Sequence, residues 1–264
     1  MWKRLDELSE SQSLRDPVLL ISVSTSNPQY RLLYSQGREL GKYLLKKLEF
    51  KQIATLYSSA MSPEIRITRA GICSMLSNNF YLYSGKSRDY LLLAGHASPM
   101  ESEYEYGQVV LEYAEKLGVK EVVSVGARWT QPVLSPTEAP KVLGFSSDEI
   151  GVGKLKDAGV AILKSESAFY FANVIVPLAK LYGIRGYKLS VDHGEPIPHP
   201  KSLMGILEVL SKMFQLDVDT SDLVAQSKEL AEAIQKAEIE GLEVDEDGEI
   251  SGARRTPQGD DIYR

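Results

Sequence analysis

An alternation limits what this chain can become: short, mostly apolar runs, the first of them rich in β-branched residues, with stretches of helical periodicity between them. The runs fall at 18–23, 53–57, 90–94, 121–126, 160–163 and 187–191. Between them, Leu33, Leu40, Leu44 and Leu48 recur at helical spacing, as do Val109, Val110, Tyr113, Ala114 and Leu117 before Gly118. Segments 147–158 and 169–181 also read as helix, with Pro177 predicted to kink the second or mark its true start. Short strands joined through longer helices are βα crossovers, which build a parallel sheet covered on both faces. The nearly continuous apolar character of the runs is what burial on both faces demands. The predicted fold is α/β, a three-layer α/β/α sandwich around a mostly parallel central sheet. Two shorter runs, 64–68 and 80–83, are where antiparallel strands or a curl are expected, and 187–191 is expected to close the sheet. Ser102 and Glu105 have the spacing of a capping box.

Past the sheet, Pro200 suits the first turn of a helix with Leu203, Ile206, Leu207, Leu210, Met213 and Phe214 on one face. A final helix, capped by Asp219 or Ser221, carries the narrow stripe Leu223, Ser227, Leu230, Ile234 and Ala237. That stripe suits docking against the body or another subunit, and the body is the plainer choice. Composition then changes. Residues 241–264 hold seven acidic and three basic side chains, in a chain whose formal net charge is -6. Gly248, Gly252, Pro257 and Gly259 interrupt the few large apolar groups there. Such a segment buries too little to offset its ordering entropy. The expected organisation is a single α/β domain over 1–240, with C-terminal helices, followed by a flexible acidic tail over 241–264 that ends in Ile262-Tyr263-Arg264.

The acidic balance argues against nucleic acid and against a membrane surface as partners. Cys73 is the only cysteine, which rules out an intrachain disulfide and a multi-cysteine metal site. It is expected to be a packed small hydrophobe. Arg66, Arg69, Lys86 and Arg88 are spread over several segments and read as a solvated face. The start of the sequence lacks an apolar core of signal-peptide length, and no apolar run approaches the length of a membrane span. A soluble, cytoplasmic protein is the expectation.

Motifs that carry chemistry are few. A Gly-x-Ser-x-Gly elbow, His-Glu-x-x-His, a P-loop and a Gly-x-Gly-x-x-Gly turn are all absent from the sequence. Three loops at predicted strand ends remain, the place where open sheets bind ligands. The passage from Asp192 to Pro200 offers Asp192, His193, Glu195 and His199 as metal ligands or an acid/base pair, although its prolines equally explain a rigid turn. His96 and Ser98 lie two apart after the run at 90–94, with no nearby acid to orient the imidazole. Arg128 is placed to bind an anion, and Trp129 to anchor an interface or cover the sheet edge. No metal or organic cofactor is expected.

The ordered set of segments resembles the archaeal proteasome-assembly-chaperone-like proteins. The resemblance runs from Val18 to Glu240. It rests on the opening strand and helix, on Tyr90-Leu91-Leu92-Leu93-Ala94-Gly95, and on the helix before Gly118-Val119-Lys120-Glu121-Val122-Val123-Ser124-Val125-Gly126. It continues through Tyr182-Gly183-Ile184 to Asp192, then Leu203-Met204-Gly205-Ile206-Leu207 and Leu216-Asp217-Val218-Asp219. Two passages depart from the family pattern. The first loop, Ser24-Thr25-Ser26-Asn27-Pro28, is less rich in glycine, and Gly194-Glu195-Pro196 with His199-Pro200-Lys201 replaces a Gly-Glu-Thr/Pro-Asp-Pro-like passage.

The resemblance implies a non-enzymatic homo-oligomer that binds α-subunits of the 20S proteasome. It also gives Ile262-Tyr263-Arg264 a meaning as a hydrophobic-Tyr-x tail. In the resembled mechanism such a tail enters a pocket between adjacent α-subunits, its terminal carboxylate meets a lysine, and the tyrosine and aliphatic residue bury apolar surface. Several tails on one oligomer add avidity. Two other readings stay open. One is an enzyme, since the architecture is also similar to that of nucleoside phosphorylases and peptidyl hydrolases, with His96, Ser98, Asp192, His193 and Glu195 around one cleft. The other is a scaffold for a different complex.

Overall fold

The centre of the molecule is a block of four parallel strands, and the sequence shows why it is central. β2 (Val18–Val23) and β8 (Glu121–Val125) are buried at every position, and β7 (Asp89–Gly95) at all but its last. The computed structural model describes residues 2–8, 13–23, 36–95, 98–99, 101–126, 128–129, 141–165, 167–193, 200–240, 243–244 and 250–251. The remaining elements of the sheet are β1 (Lys3–Glu7), β3 (Lys51–Ser58), β6 (Asn78–Ser84), β9 (Arg128–Trp129), β10 (Val142–Ser146), β11 (Ala161–Ile162) and β12 (Arg185–His193). The ten strands run in the order β1-β3-β6-β7-β2-β8-β12-β10-β11, with β9 paired to β12.

The block β7-β2-β8-β12 is parallel, as expected. Antiparallel strands extend it on both sides: β6, β3 and β1 on one, β10 on the other. The stretch expected to hold irregular strands does so. β6 joins the sheet antiparallel, while β4 (Ile65–Ile67) and β5 (Cys73–Met75) form a separate hairpin. β12 does not close the sheet. It lies inside it, because β10 pairs along its far side.

Among the described residues, six helices cover the two faces: α1 (Gln36–Lys47), α2 (Glu103–Lys116), α3 (Glu149–Asp157), α4 (Phe171–Leu181), α5 (Pro200–Phe214) and α6 (Ser221–Glu240). Past α6, β13 (Glu243–Val244) and β14 (Ile250–Ser251) pair antiparallel. Strand alternation in the main sheet sorts side chains into two cores. Leu19, Ile21, Leu93 and Val122 pack under α2 and α4 with Val110, Phe171 and Ile175. Leu20, Leu92, Val123 and Leu189 pack under α1, α3 and α5 with Leu44, Leu155 and Ile206. Each fully buried side chain of this size contributes about 1.5–3 kcal/mol relative to exposure, so these two faces carry most of the fold.

Local signals set the helix limits. α4 begins at Phe171, ahead of Pro177, so the proline does not mark its start. It ends at Leu181, and two residues on Gly183 takes a φ of 67°, which glycine adopts without strain. There the Gly183 and Ile184 amides donate to the carbonyls of Lys180 and Ala179, which turns the chain straight into β12. The capping box at Ser102 is not formed. Ser102 has φ 56° and its side chain caps nothing, because the chain enters α2 through a left-handed residue that aims the hydroxyl elsewhere. Asp148 caps α3 by accepting from the Gly151 amide at 2.6 Å.

Two further expectations fail. Cys73 is exposed on the β4–β5 hairpin, and Arg88 is 9% exposed instead of solvated. Cys73 lies on a local hairpin that stands apart from the main sheet, whereas Arg88 is drawn in by Asp16 and Glu121, both remote in sequence.

Candidate functional site

The four parallel strands bring their carboxyl ends to one edge of the sheet, where loops rather than strands continue the chain. The sequence-predicted residues leave from that edge. Ser98 follows β7, Arg128 and Trp129 form β9 just after β8, and Asp192 and His193 end β12. Two of the three loops meet: β9 runs parallel beside the end of β12, with Arg128 opposite Asp192 and Trp129 opposite His193. Ser98 is buried, and its hydroxyl finds no hydrogen-bond partner among the described residues. His96, Glu195 and His199 lie outside the described residues, as do Ile262, Tyr263 and Arg264. Among the described residues, no three His, Cys, Asp or Glu are grouped to hold a metal ion.

Sequence reasoning missed the most unusual group at this edge. Lys188 sits in the middle of β12, 4% exposed. Its neighbours Tyr187, Leu189 and Val191 point to the α1/α5 core. Alternation therefore sends Lys188 to the other face, under α4. Burial alone pushes its amine down to about 7, with no charged partner among the described residues acting against the desolvation. On the adjacent β8, Ser124 is its register partner, and that hydroxyl is fully buried without a partner among the described residues. The signal was a lysine inside the strand-like run Tyr187-Lys188-Leu189-Ser190-Val191.

The opposite edge is built differently. Glu121 opens β8 and accepts hydrogen bonds from Lys154 Nζ and Tyr187 Oη, both at 2.6 Å. Arg88 lies 3.6 Å from its other oxygen, pairs with Asp16, and sits 5.6 Å from the Phe214 ring centre. Arg185 binds Asp148 at 2.8 Å. Burial alone would raise the Glu121 carboxyl, but the bonds from Lys154 and Tyr187 and the charges of Lys154 and Arg88 hold it below the usual range. This cluster is internally neutralised and closes the amino edge; it offers nothing to a ligand.

Among the described residues, no helix is long and apolar enough to cross a membrane. A family model described as the PAC2 family matches residues 37–238. No curated protein sequence matches the chain. Solved structures match nearly its whole length. The Pyrococcus furiosus protein PbaB, described as an archaeal proteasome activator, aligns with a TM-score of 0.74 at 19% identity, over 89% of this chain and 98% of that one. PbaA of the same organism, an archaeal homolog of proteasome-assembly chaperone, aligns at 0.67 and 19% identity over 90% and 92%. A proteasome-assembly chaperone homologue from Mycobacterium tuberculosis aligns at 0.67 and 17% identity over 83% and 94%. These likenesses establish the mixed α/β fold, with its large sheet flanked by helices.

Proposed function

The chain belongs to the PAC2 family, and from that premise we propose that it acts as a proteasome assembly chaperone or activator, without chemistry of its own. In this reading it is a cytoplasmic homo-oligomer that docks on the α-ring of the 20S proteasome through its C-terminal tails. The observation that carries the reading is the family match across residues 37–238. Likeness in fold to an archaeal proteasome activator and to assembly-chaperone homologues supports it.

The tail supplies the mechanism. In this proposal residues 241–264 are the acidic arm, and Ile262-Tyr263-Arg264 the part that is recognised. Tyr263 brings a large apolar area with one hydroxyl to satisfy, and Ile262 brings aliphatic contact. The carboxylate after Arg264 pairs with a lysine of the receiving pocket, a charge-assisted bond that any extension of the chain removes. One tail binds weakly; several on one oligomer multiply the effect once the arms span the pocket spacing.

The test is recovery of the protein on immobilised 20S particles, comparing the full chain with one that ends at Asp261 and so lacks residues 262–264. The full chain is retained and the shortened chain is lost. Equal recovery of both rules out the tail mechanism.

A further inference from the structure

Lys188 is a charge-bearing side chain deep in a protein whose described residues provide it no counter-charge. The groups packed around it leave it alone. Glu121, the only titratable residue of β8, sits at the far edge and is bound to Lys154 and Tyr187. β10 carries none, and Lys180 of α4 lies in that helix's last turn. On β12 itself, Arg185 is turned to Asp148 and Tyr187 to Glu121 on the opposite face, and Asp192 and His193, four and five residues past Lys188, end the strand in register with Arg128 and Trp129.

The direction of the side chain follows from backbone contacts. α4 leads directly into β12, so the two run antiparallel and pack together. Gly186 lies against the Val176 carbonyl, so close that a Cβ there would collide with it. Four helical residues back from Val176 is Ala172; two strand residues on from Gly186 is Lys188. Both steps cover about 6–7 Å, which sets Lys188 under the first turn of α4. A Cβ on Gly126, one residue beyond β8, would strike Lys188 Nζ and stand 3.8 Å from the Ala172 Cβ. The amine therefore reaches the carboxyl edge of the sheet beneath the start of α4. That start is uncapped: Tyr170 has φ 71° and its side chain makes no capping bond. The Asn173 and Val174 amides are taken up by the Tyr170 carbonyl, which leaves those of Phe171 and Ala172 as donors.

We propose that this edge binds a small oxyanion, a phosphate or carboxylate group, between the Lys188 ammonium and the first-turn amides of α4, with the Ser124 hydroxyl as a further donor. Each of these groups is a donor or a positive pole, a set that favours an anion over a cation. The helix start carries a partial positive charge, which adds to burial in keeping the amine neutral until an anion arrives. An anion reverses that balance, so binding takes up a proton. Above the free amine's titration near pH 7, affinity falls by up to about tenfold per pH unit. The site is independent of the C-terminal tail, and a failed proteasome-binding test leaves it standing.

The experiment is thermal unfolding of the full chain in inorganic phosphate, in acetate and in chloride at matched ionic strength, near pH 7 and near pH 9. Wild type, Lys188→Met and Ser124→Ala are compared. Phosphate or acetate raises the wild-type Tm above the chloride value near pH 7, and the rise shrinks near pH 9. Whichever anion acts names the group. The rise disappears in Lys188→Met and is reduced in Ser124→Ala. Identical wild-type Tm values in all three salts overturn the proposal, as does a rise that survives in Lys188→Met. Should Lys188→Met not fold, NMR titration of the wild-type lysine side chains decides. Lys188 then titrates at higher pH with the anion present, and an unmoved titration overturns the proposal.

Discussion

Glu121 and Lys188 are charged residues on neighbouring strands of one buried sheet, and their surroundings treat them in opposite ways. Glu121 is held ionised by Lys154 and Tyr187 at 2.6 Å, with Arg88 behind. Removing its charge leaves Arg88 buried with Asp16 as its remaining counter-ion among the described residues. Glu121→Gln is therefore expected to cost about 3 kcal/mol, measured by urea unfolding at neutral pH. Because the folded carboxyl titrates below its ordinary value, its contribution is complete above the unfolded pKa and fades as pH falls through the folded one. The wild-type advantage over Glu121→Gln should accordingly narrow in acid. Lys188 has the opposite sign. Its folded amine titrates near 7, against about 10.4 when unfolded. Between those values the unfolded chain binds more protons, so stability rises with pH. In anion-free buffer, Lys188→Met should be more stable than wild type near pH 7, and the gap should close as pH approaches about 10. A constant gap across that range would show that the amine is not desolvated in the folded chain. Neither residue's role was legible in sequence, because Glu121 meets partners 33 and 66 positions away. Arg88 looked solvated for the same reason: its partner Asp16 is 72 positions distant.

Among the elements, those with strong periodicity were legible and those at edges were not. β2, β7 and β8 are buried on both faces and announce themselves as apolar runs. β1 reads Lys-Arg-Leu-Asp-Glu, three of its five residues exposed charges, because an edge strand is kept polar against stray pairing. β10 hides behind Gly144, where a Cβ would collide with the Lys188 carbonyl of the paired strand. The difference has an energetic counterpart. Leu20→Ala, in the middle of β2, should cost about 2–5 kcal/mol. Ile67→Ser on the β4–β5 hairpin should change stability by less than about 0.5 kcal/mol, since Ile67 is 67% exposed. Chemical denaturation of the two variants side by side checks both. α6 is fixed at its start, where Tyr43 Oη donates to Asp222 at 2.6 Å and Lys47 pairs with it at 3.0 Å. The Tyr43 bond and the Lys47 charge pull the Asp222 carboxyl down to about 2. This anchor should persist until pH falls below the ordinary carboxylate range and be lost on approach to that value, which hydrogen exchange across α6 would report as earlier opening in acid.

At the scale of the whole molecule, strand and helix order was enough to point to the fold and to the family, because double-sided burial writes itself into composition. The candidate site was legible only as a location. Arg128, Trp129, Asp192 and His193 were placed at strand ends by the order of elements, and the β9–β12 pairing brings their backbones together. Lys188 and Ser124 were not, since a side chain's direction in a strand depends on register with neighbours far along the chain. The function proposed for the whole joins this body to α-rings through several tails at once. Native mass spectrometry of the full chain, alone and mixed with 20S particles, tests that most directly. The account predicts a homo-oligomer on its own and a defined complex with the proteasome that disappears when residues 262–264 are removed. A monomer with no proteasome complex, or a complex untouched by that truncation, would contradict it.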